Sequence, residues 1–145
     1  MLELEHSVLI KKPIGEVFNY VTDPARAPEW RVGLLEAKQT SPGELQVGSI
    51  IEETVQVLGR KLTSKVEVTK LSPSRERGIR VKLGPLPIDM TEHYEQTPEG
   101  TRLRVRGTAD VKGPQRLAAK AALSQVKRQL ETELANIKKQ LETQV

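Results

Sequence analysis

The chain has 145 residues, 37% hydrophobic and 29% charged, with a formal net charge of +4 at pH 7. This length suits a single domain over residues 1–145, and the absence of cysteine excludes disulfides, thiolate metal ligands and cysteine nucleophiles. No apolar run is long enough to span a bilayer and no signal segment opens the chain, so we expect a cytoplasmic protein that is not an integral membrane protein. The modest positive charge and the four aromatic side chains disfavour a nucleic-acid binder.

The first third of the chain predicts a strand followed by two helices. Residues 2–11 alternate in period two, which is typical of a half-buried strand. Pro13 suits the first position of a helix, and Asp23-Pro24 predicts the start of a second, short helix that ends before Gly33.

The middle of the chain predicts a meander of six strands. They are expected near residues 34–40, 49–58, 61–71, 78–83, 88–96 and 101–111. Gly59-Arg60 is interpreted as a two-residue hairpin loop, residues 72–78 as a polar loop, and residues 84–87 as a turn. Gly113-Pro114 then opens a helix of about 30 residues, roughly 45 Å long. Helices segregated from consecutive strands predict an α+β fold.

The last helix carries an apolar stripe with an eleven-residue repeat. The repeating pairs are Leu123 and Leu134, Val126 and Ile137, and Leu130 and Leu141. This spacing favours a fairly straight helix on a sheet over a coiled coil. Alanines in its first half either leave space between helix and sheet or only raise helix propensity.

Several motifs resemble the START-like (SRPBCC) superfamily, and specifically its polyketide cyclase/dehydrase-like branch. The matching residues, in chain order, are Val8 and Ile10, Pro13, Val17-Phe18, Tyr20-Val21-Thr22-Asp23-Pro24, Pro28-Glu29-Trp30, Val47-Gly48 and Gly100-Thr101-Arg102-Leu103. The resemblance covers the whole chain. It implies the helix-grip fold, in which a curved, seven-stranded antiparallel sheet wraps around the C-terminal helix and encloses a hydrophobic cavity. It does not settle an activity.

Strand parity predicts which side chains face the interior. Five polar residues share the face of their apolar neighbours: His6, Glu53, Ser64, Glu92 and Tyr94. The full candidate ligand-binding set is His6, Trp30, Glu53, Val55, Ser64, Val66, Val81, Met90, Glu92, Tyr94, Val105, Ala118 and Ala122. A few polar groups in an apolar concavity are what orients a bound ligand.

Each polar candidate also has a structural interpretation. Glu53 and Glu92 can lie at a rim or bulge, His6 can be a satisfied core histidine, and Tyr94 a core residue with its hydroxyl at the edge. Trp30 either caps the cavity mouth or packs on the first strand. An outer stripe of Arg102, Arg104 and Arg106 is interpreted as part of a cross-strand Arg–Glu ladder on a solvated face, with contact to an anionic membrane or a nucleic acid as the alternative. No metal site and no cofactor are expected.

Three hypotheses follow for the function. The first is binding of a small, largely apolar molecule, such as a lipid, isoprenoid, quinone or polyketide-like molecule, in the cavity. The second is an aromatase/cyclase-type enzyme, with Glu92, Glu53 or His6 as acid–base candidates. The third is a protein-interaction module. The expected partner is the small ligand, with a monomer or homodimer as the oligomeric state.

Overall fold

The computed structural model describes residues 1–83 and 86–143. Of the turn expected at residues 84–87, Gly84 and Pro85 lie outside the described residues, whereas Leu86 and Pro87 belong to a strand instead. The seven strands are β1 (Leu2–Ile10), β2 (Leu34–Gln39), β3 (Ile50–Val57), β4 (Arg60–Ser72), β5 (Glu76–Leu83), β6 (Leu86–Thr97) and β7 (Gly100–Ala109). The helices are α1 (Ile14–Thr22), a 3-10 helix (Pro24–Glu29) and α2 (Gln115–Thr143). None of the helices in the described ranges is long and apolar enough to cross a membrane.

All seven strands form one antiparallel sheet in the order β1-β7-β6-β5-β4-β3-β2. The strands from β2 to β7 therefore pair in the order of the sequence. β1 pairs with β7 and forms the edge of the sheet opposite to β2. The expected α+β fold, with a long C-terminal helix and two short helices between the first two strands, is confirmed.

The hairpin loop between β3 and β4 differs from the prediction by one residue. Val57 pairs with Arg60, so the loop residues are Leu58 and Gly59 rather than Gly59 and Arg60. Both have positive φ, 52° at Leu58 and 77° at Gly59, as a type I′ turn requires. Because the change moves the pairing by an even number of residues, the predicted inner face of both strands is retained.

The segment before β5 also differs, because residues 76 and 77 belong to the strand and not to a loop. β5 begins at Glu76, and Arg77 pairs with Glu92 of β6. The sequence pattern missed this start because Arg75, Glu76 and Arg77 are consecutive charged residues that hide the alternation of a strand.

The C-terminal half of α2 packs against β1. Leu130, Leu134, Ile137 and Leu141 are buried there. Lys138 Nζ donates a hydrogen bond to the backbone oxygen of Leu9 at 2.7 Å, and the backbone N–H of Lys11 donates to a carboxylate oxygen of Glu142 at 2.9 Å. These contacts fix one end of the helix on the first strand.

The outer arginine stripe is only partly paired. Arg102, Arg104 and Arg106 lie opposite Glu95, His93 and Thr91, as the register predicted. Within residues 1–83 and 86–143, however, only Arg106 has an ion-pair partner, Glu3 on β1. The expected ladder between β6 and β7 is therefore wrong in detail. Arg106 forms its ion pair with β1, on the other side of β7.

Candidate functional site

A cavity of about 280 Å³ lies between the concave face of the sheet and α2. Most of its wall is aliphatic, and these side chains come from α1, five strands and α2: Val21, Val55, Val66, Ile79, Val81, Ile88, Met90, Leu103, Val105, Val126, Leu130, Leu134 and Ile137. These residues lie at every second position along a strand and at every third or fourth position along α2, which is the spacing that brings side chains to one face of each element. Two residues of the lining, Lys82 and Gln129, are exposed at the protein surface.

One side of the cavity holds a buried ion pair within the sheet, formed by Arg77 and Glu92. Arg77 Nε and Nη2 donate to the two carboxylate oxygens of Glu92 at 3.0 and 2.7 Å. The Tyr94 hydroxyl donates to one of the same oxygens at 2.8 Å. Burial and the neighbouring Glu92 charge raise the pKa of Tyr94 well above its ordinary value. We call these three residues the Arg77 cluster.

A second ion-pair group connects the loop before β2, the sheet and α2. Arg31 donates to Glu53 at 2.9 and 3.3 Å, and its Nε donates to Glu133 at 3.2 Å. The same Glu133 oxygen also accepts from the Val32 backbone N–H at 2.9 Å and from Gln129 Nε2 at 3.1 Å. We call Arg31, Glu53, Glu133 and Gln129 the Arg31 cluster. It secures three elements of the chain around the cavity.

Two donor groups at the cavity wall have no acceptor among the described residues. Trp30 is 6% exposed and lines the cavity, and its Nε1 has no hydrogen-bond partner. Arg77 uses Nε and Nη2 on Glu92, whereas its Nη1 donates to no acceptor in the described parts of the chain. Trp30 Nε1 is a buried donor without a partner, which is unfavourable, but it has almost no accessible surface of its own. Arg77 Nη1 is not buried in this way, and it favours a ligand that supplies an oxygen acceptor.

Three carboxylates and two guanidinium groups face the buried part of the cavity. The carboxylates belong to Glu53, Glu92 and Glu133, and the guanidinium groups to Arg31 and Arg77. With all five ionised, the buried groups carry one net negative charge. In the described residues, no group of three or more His, Asp or Glu side chains is arranged to hold a metal ion.

Most of the residues expected at a ligand site line this cavity. Trp30, Glu53, Val55, Ser64, Val66, Val81, Met90, Glu92 and Val105 all lie in its wall. The two carboxylates named from strand parity are buried and paired with arginines, rather than turned outward at a rim.

Four expected residues lie elsewhere. His6 faces α2, with its Nδ1 3.9 Å from Glu131, because the packed half of the helix fills the space over β1. Tyr94 is buried beneath Glu92 rather than in the wall. Ala118 is exposed and Ala122 half-buried near the start of α2, since the cavity lies farther along the helix, from Val126 onward.

Three charged residues of the site were not anticipated from the sequence. Arg31 lies in an aperiodic segment, and Arg77 fell in the presumed loop. Glu133 carried a usable signal, because it lies on the apolar stripe of α2 between Leu130 and Ile137. An acidic residue on such a stripe needs a partner when it is buried.

Known structures share this architecture. BexL, a di-domain ARO/CYC protein from the BE-7585A biosynthetic pathway, superposes with a TM-score of 0.82 at 19% identity, over 98% of this chain and 47% of that chain. The chain thus spans about half the length of BexL. Ara h 8.0201 gives a TM-score of 0.78 at 12% identity over 99% of both chains. The protein TTHA0849 from Thermus thermophilus gives 0.74 at 14% over 95% of both.

At these identities the similarities show a common fold. None of the curated protein sequences matches the chain. A family model described as polyketide cyclase / dehydrase and lipid transport matches residues 1–142. The chain therefore belongs to the polyketide cyclase / dehydrase and lipid transport family.

Proposed function

We propose that the protein binds a small, uncharged and largely apolar molecule that carries oxygen acceptors, such as a quinone or a polyketide-like ketone. The cavity between sheet and helix is the binding site. Its volume of about 280 Å³ is near the lower end of ligand pockets, which run from about 300 to 1,000 Å³.

The polar groups of the cavity carry the proposal. Trp30 Nε1 and Arg77 Nη1 are donors that lack acceptors among the described residues. A carbonyl oxygen in the cavity supplies the acceptor that Arg77 Nη1 lacks, whereas Trp30 Nε1 has almost no accessible surface and would need the indole to move. A carboxylate ligand such as a fatty acid would instead bring a second uncompensated negative charge next to Glu53, Glu92 and Glu133, which is costly in a low-dielectric site.

The same geometry favours binding over acid–base catalysis. Arginine donors occupy both oxygens of Glu53 and both oxygens of Glu92. His6 lies outside the cavity wall. A catalytic carboxyl must reach the proton it transfers, and these two are already engaged with the protein.

The binding test uses 2-methyl-1,4-naphthoquinone as the neutral probe and decanoate as the anionic one. Trp30 is the only tryptophan and lies in the cavity wall, so its fluorescence reports occupancy. Calorimetry gives an independent affinity. We expect saturable quenching by the quinone and at least tenfold weaker binding of decanoate. Mass analysis of the recovered quinone detects any conversion, which would favour the enzyme hypothesis.

A cavity-filling substitution supplies the matched control. Val81→Phe replaces a small aliphatic side chain of the wall with an aromatic ring and should weaken quinone binding at least tenfold. Val47→Phe makes the same change at a position that is 59% exposed and outside the wall, and should leave affinity unchanged. Equal affinity for quinone and decanoate, or no effect of Val81→Phe, would refute the proposal.

A further inference from the structure

One end of the sheet gathers the β3–β4 turn, the paired end of β5 and start of β6, and the N-terminus of α2. The β3–β4 turn and the end of β5 lie at the same end because β3 and β5 run in the same direction in the antiparallel sheet. The end of β7 joins them, since Ala109 pairs with Leu2 at the start of β1. We define the basic rim as residues 58–62, Lys82 and residues 110–120.

The basic rim exposes large apolar side chains. Leu58 is 98% exposed, Leu117 79% and Leu62 51%, and Met1 at the start of the neighbouring β1 is 71% exposed. Single exposed apolar residues are common on protein surfaces, but this end of the molecule has four large ones.

The rim also accounts for the net positive charge of the chain. It contains six cations and one acid: Arg60, Lys61, Lys82, Lys112, Arg116 and Lys120 against Asp110. The remaining residues hold 17 cations and 18 acids. All six cations are exposed, and none is within ion-pairing distance of a carboxylate in the described residues.

Leu58 adds a second, independent observation. It has a φ of 52°, a left-handed conformation that is unfavourable for a leucine and suits asparagine or glycine. Its side chain is almost fully exposed, so no packing within the protein offsets this strain. A strained, exposed apolar residue at a hairpin tip points to a contact outside the chain.

We propose that the basic rim docks on the surface of an anionic lipid bilayer, with Leu58 and Leu117 entering the interface. Leucines surrounded by cations match the two components of interfacial binding, burial of apolar groups and attraction to anionic headgroups. Lys82 belongs both to the rim and to the cavity lining, so docking places this part of the cavity lining next to the membrane. The docking itself does not require that the cavity bind a ligand.

Vesicle flotation tests this proposal with the full chain. We expect binding to phosphatidylcholine vesicles that contain phosphatidylglycerol, little binding to pure phosphatidylcholine, and release at about 0.5 M salt, since salt screens exposed charges. Each cation near an anionic surface contributes about fivefold in affinity, so Arg60→Gln with Lys61→Gln should bind roughly 25-fold more weakly. The matched control, Arg102→Gln with Arg104→Gln, removes the same charge from the outer sheet face and should change binding less than twofold.

A second pair of variants separates docking from folding. Leu58→Asn suits the left-handed turn and should keep or raise the melting temperature, while weakening vesicle binding about tenfold. Val47→Asn alters another exposed apolar residue in the loop before β3, at the opposite end, and should have no effect.

Three outcomes would overturn the proposal. The first is no binding of the wild-type chain to anionic vesicles at low salt. The second is an equal loss in the outer-face control. The third is rim-dependent binding of an oligonucleotide, or a dimer that Leu58→Asn dissociates, without vesicle binding. Because Val81→Phe should leave vesicle binding intact, failure of the ligand proposal and failure of the docking proposal give different results.

Discussion

The two ion-pair groups of the cavity are built in different ways. The Arg77 cluster lies within the sheet, where Arg77 and Glu92 are paired positions of adjacent strands. The Arg31 cluster joins the loop before β2 to β3 and to α2, with Arg31 and Glu133 separated by 102 positions in the chain. Arg77 is 11% exposed, whereas Arg31 is 22% exposed.

The two clusters therefore depend on different steps in forming the structure. The Arg77 cluster is positioned by strand register, so forming the β5–β6 hairpin already brings its charges together. The Arg31 cluster forms only when helix and sheet have docked, and it holds them at the separation that leaves the cavity. We therefore expect the Arg77 cluster to have the larger effect on the free energy of unfolding. The Arg31 cluster should affect both this free energy and the attachment of α2 to the sheet.

The largest expected effect is that of Arg77→Met. It leaves Glu92 buried and without its bidentate partner, which should lower the free energy of unfolding by about 3–5 kcal/mol. Urea denaturation followed by circular dichroism measures the change.

The double variant Arg77→Met/Glu92→Leu is the control for this first prediction. It removes both charges and should recover most of the lost stability, because no unpaired charge remains. If the double variant were no more stable than Arg77→Met, the loss would come from packing rather than from an unpaired carboxylate.

Arg31→Met should cost less, about 2 kcal/mol. Glu133 keeps its bonds from the Val32 N–H and from Gln129. Arg31 itself is more exposed than Arg77, so water can take the place of its guanidinium beside Glu53. Hydrogen exchange should also show faster exchange in the middle of α2. Arg80→Met, which breaks an exposed pair with Asp89, should change the stability very little. A larger loss for Arg31→Met than for Arg77→Met would reverse the ranking of the two clusters.

Tyr94→Phe tests the third member of the Arg77 cluster and should cost about 1–2 kcal/mol, since it removes a hydrogen bond to a charged acceptor. The pKa of Tyr94 is raised in the folded protein, so its contribution is fully present below the unfolded value of about 10 and is lost as pH rises through the folded pKa.

Stability should therefore decline above about pH 10, and less steeply in Tyr94→Phe. Burial and the hydrogen bond to Glu29 also raise the pKa of Tyr20, the other tyrosine of the chain. Tyrosinate absorbance in the near ultraviolet should consequently appear late, with unfolding. An ordinary titration near pH 10 in the folded protein would contradict this.

The smallest expected effect within the two clusters is that of Gln129→Ala, about 0.5–1 kcal/mol. Gln129 donates one of three hydrogen bonds to a single oxygen of Glu133, and the other two donors remain. Thermal unfolding can resolve this difference. A loss as large as that of Arg31→Met would mean that Gln129, and not the ion pair, holds Glu133 in place.

The sequence predicted the fold and the inward carboxylates, but not the cations that pair with them. Strand alternation places Glu53 and Glu92 inside because their apolar neighbours fix the inner face. Arg77 was missed because three consecutive charged residues hid the start of β5. Arg31 could not be found from local pattern at all, since its partners belong to distant elements. The cavity itself depends on how far α2 stands from the sheet, which no local signal encodes.

The pairing of β1 with β7 has a consequence for how the chain acquires this structure. Leu2 pairs with Ala109, and the N–H of Lys11 donates to Glu142. The partners of β1 are therefore synthesised about 100 residues after β1 itself. Such distant contacts make loop closure expensive and folding slow. The strands β2 to β6 can pair before the rest of the sequence is made, but pairing with β1 and packing against α2 are expected only once β7 and α2 have been synthesised. Chaperone protection of the exposed concave face matters most in that interval.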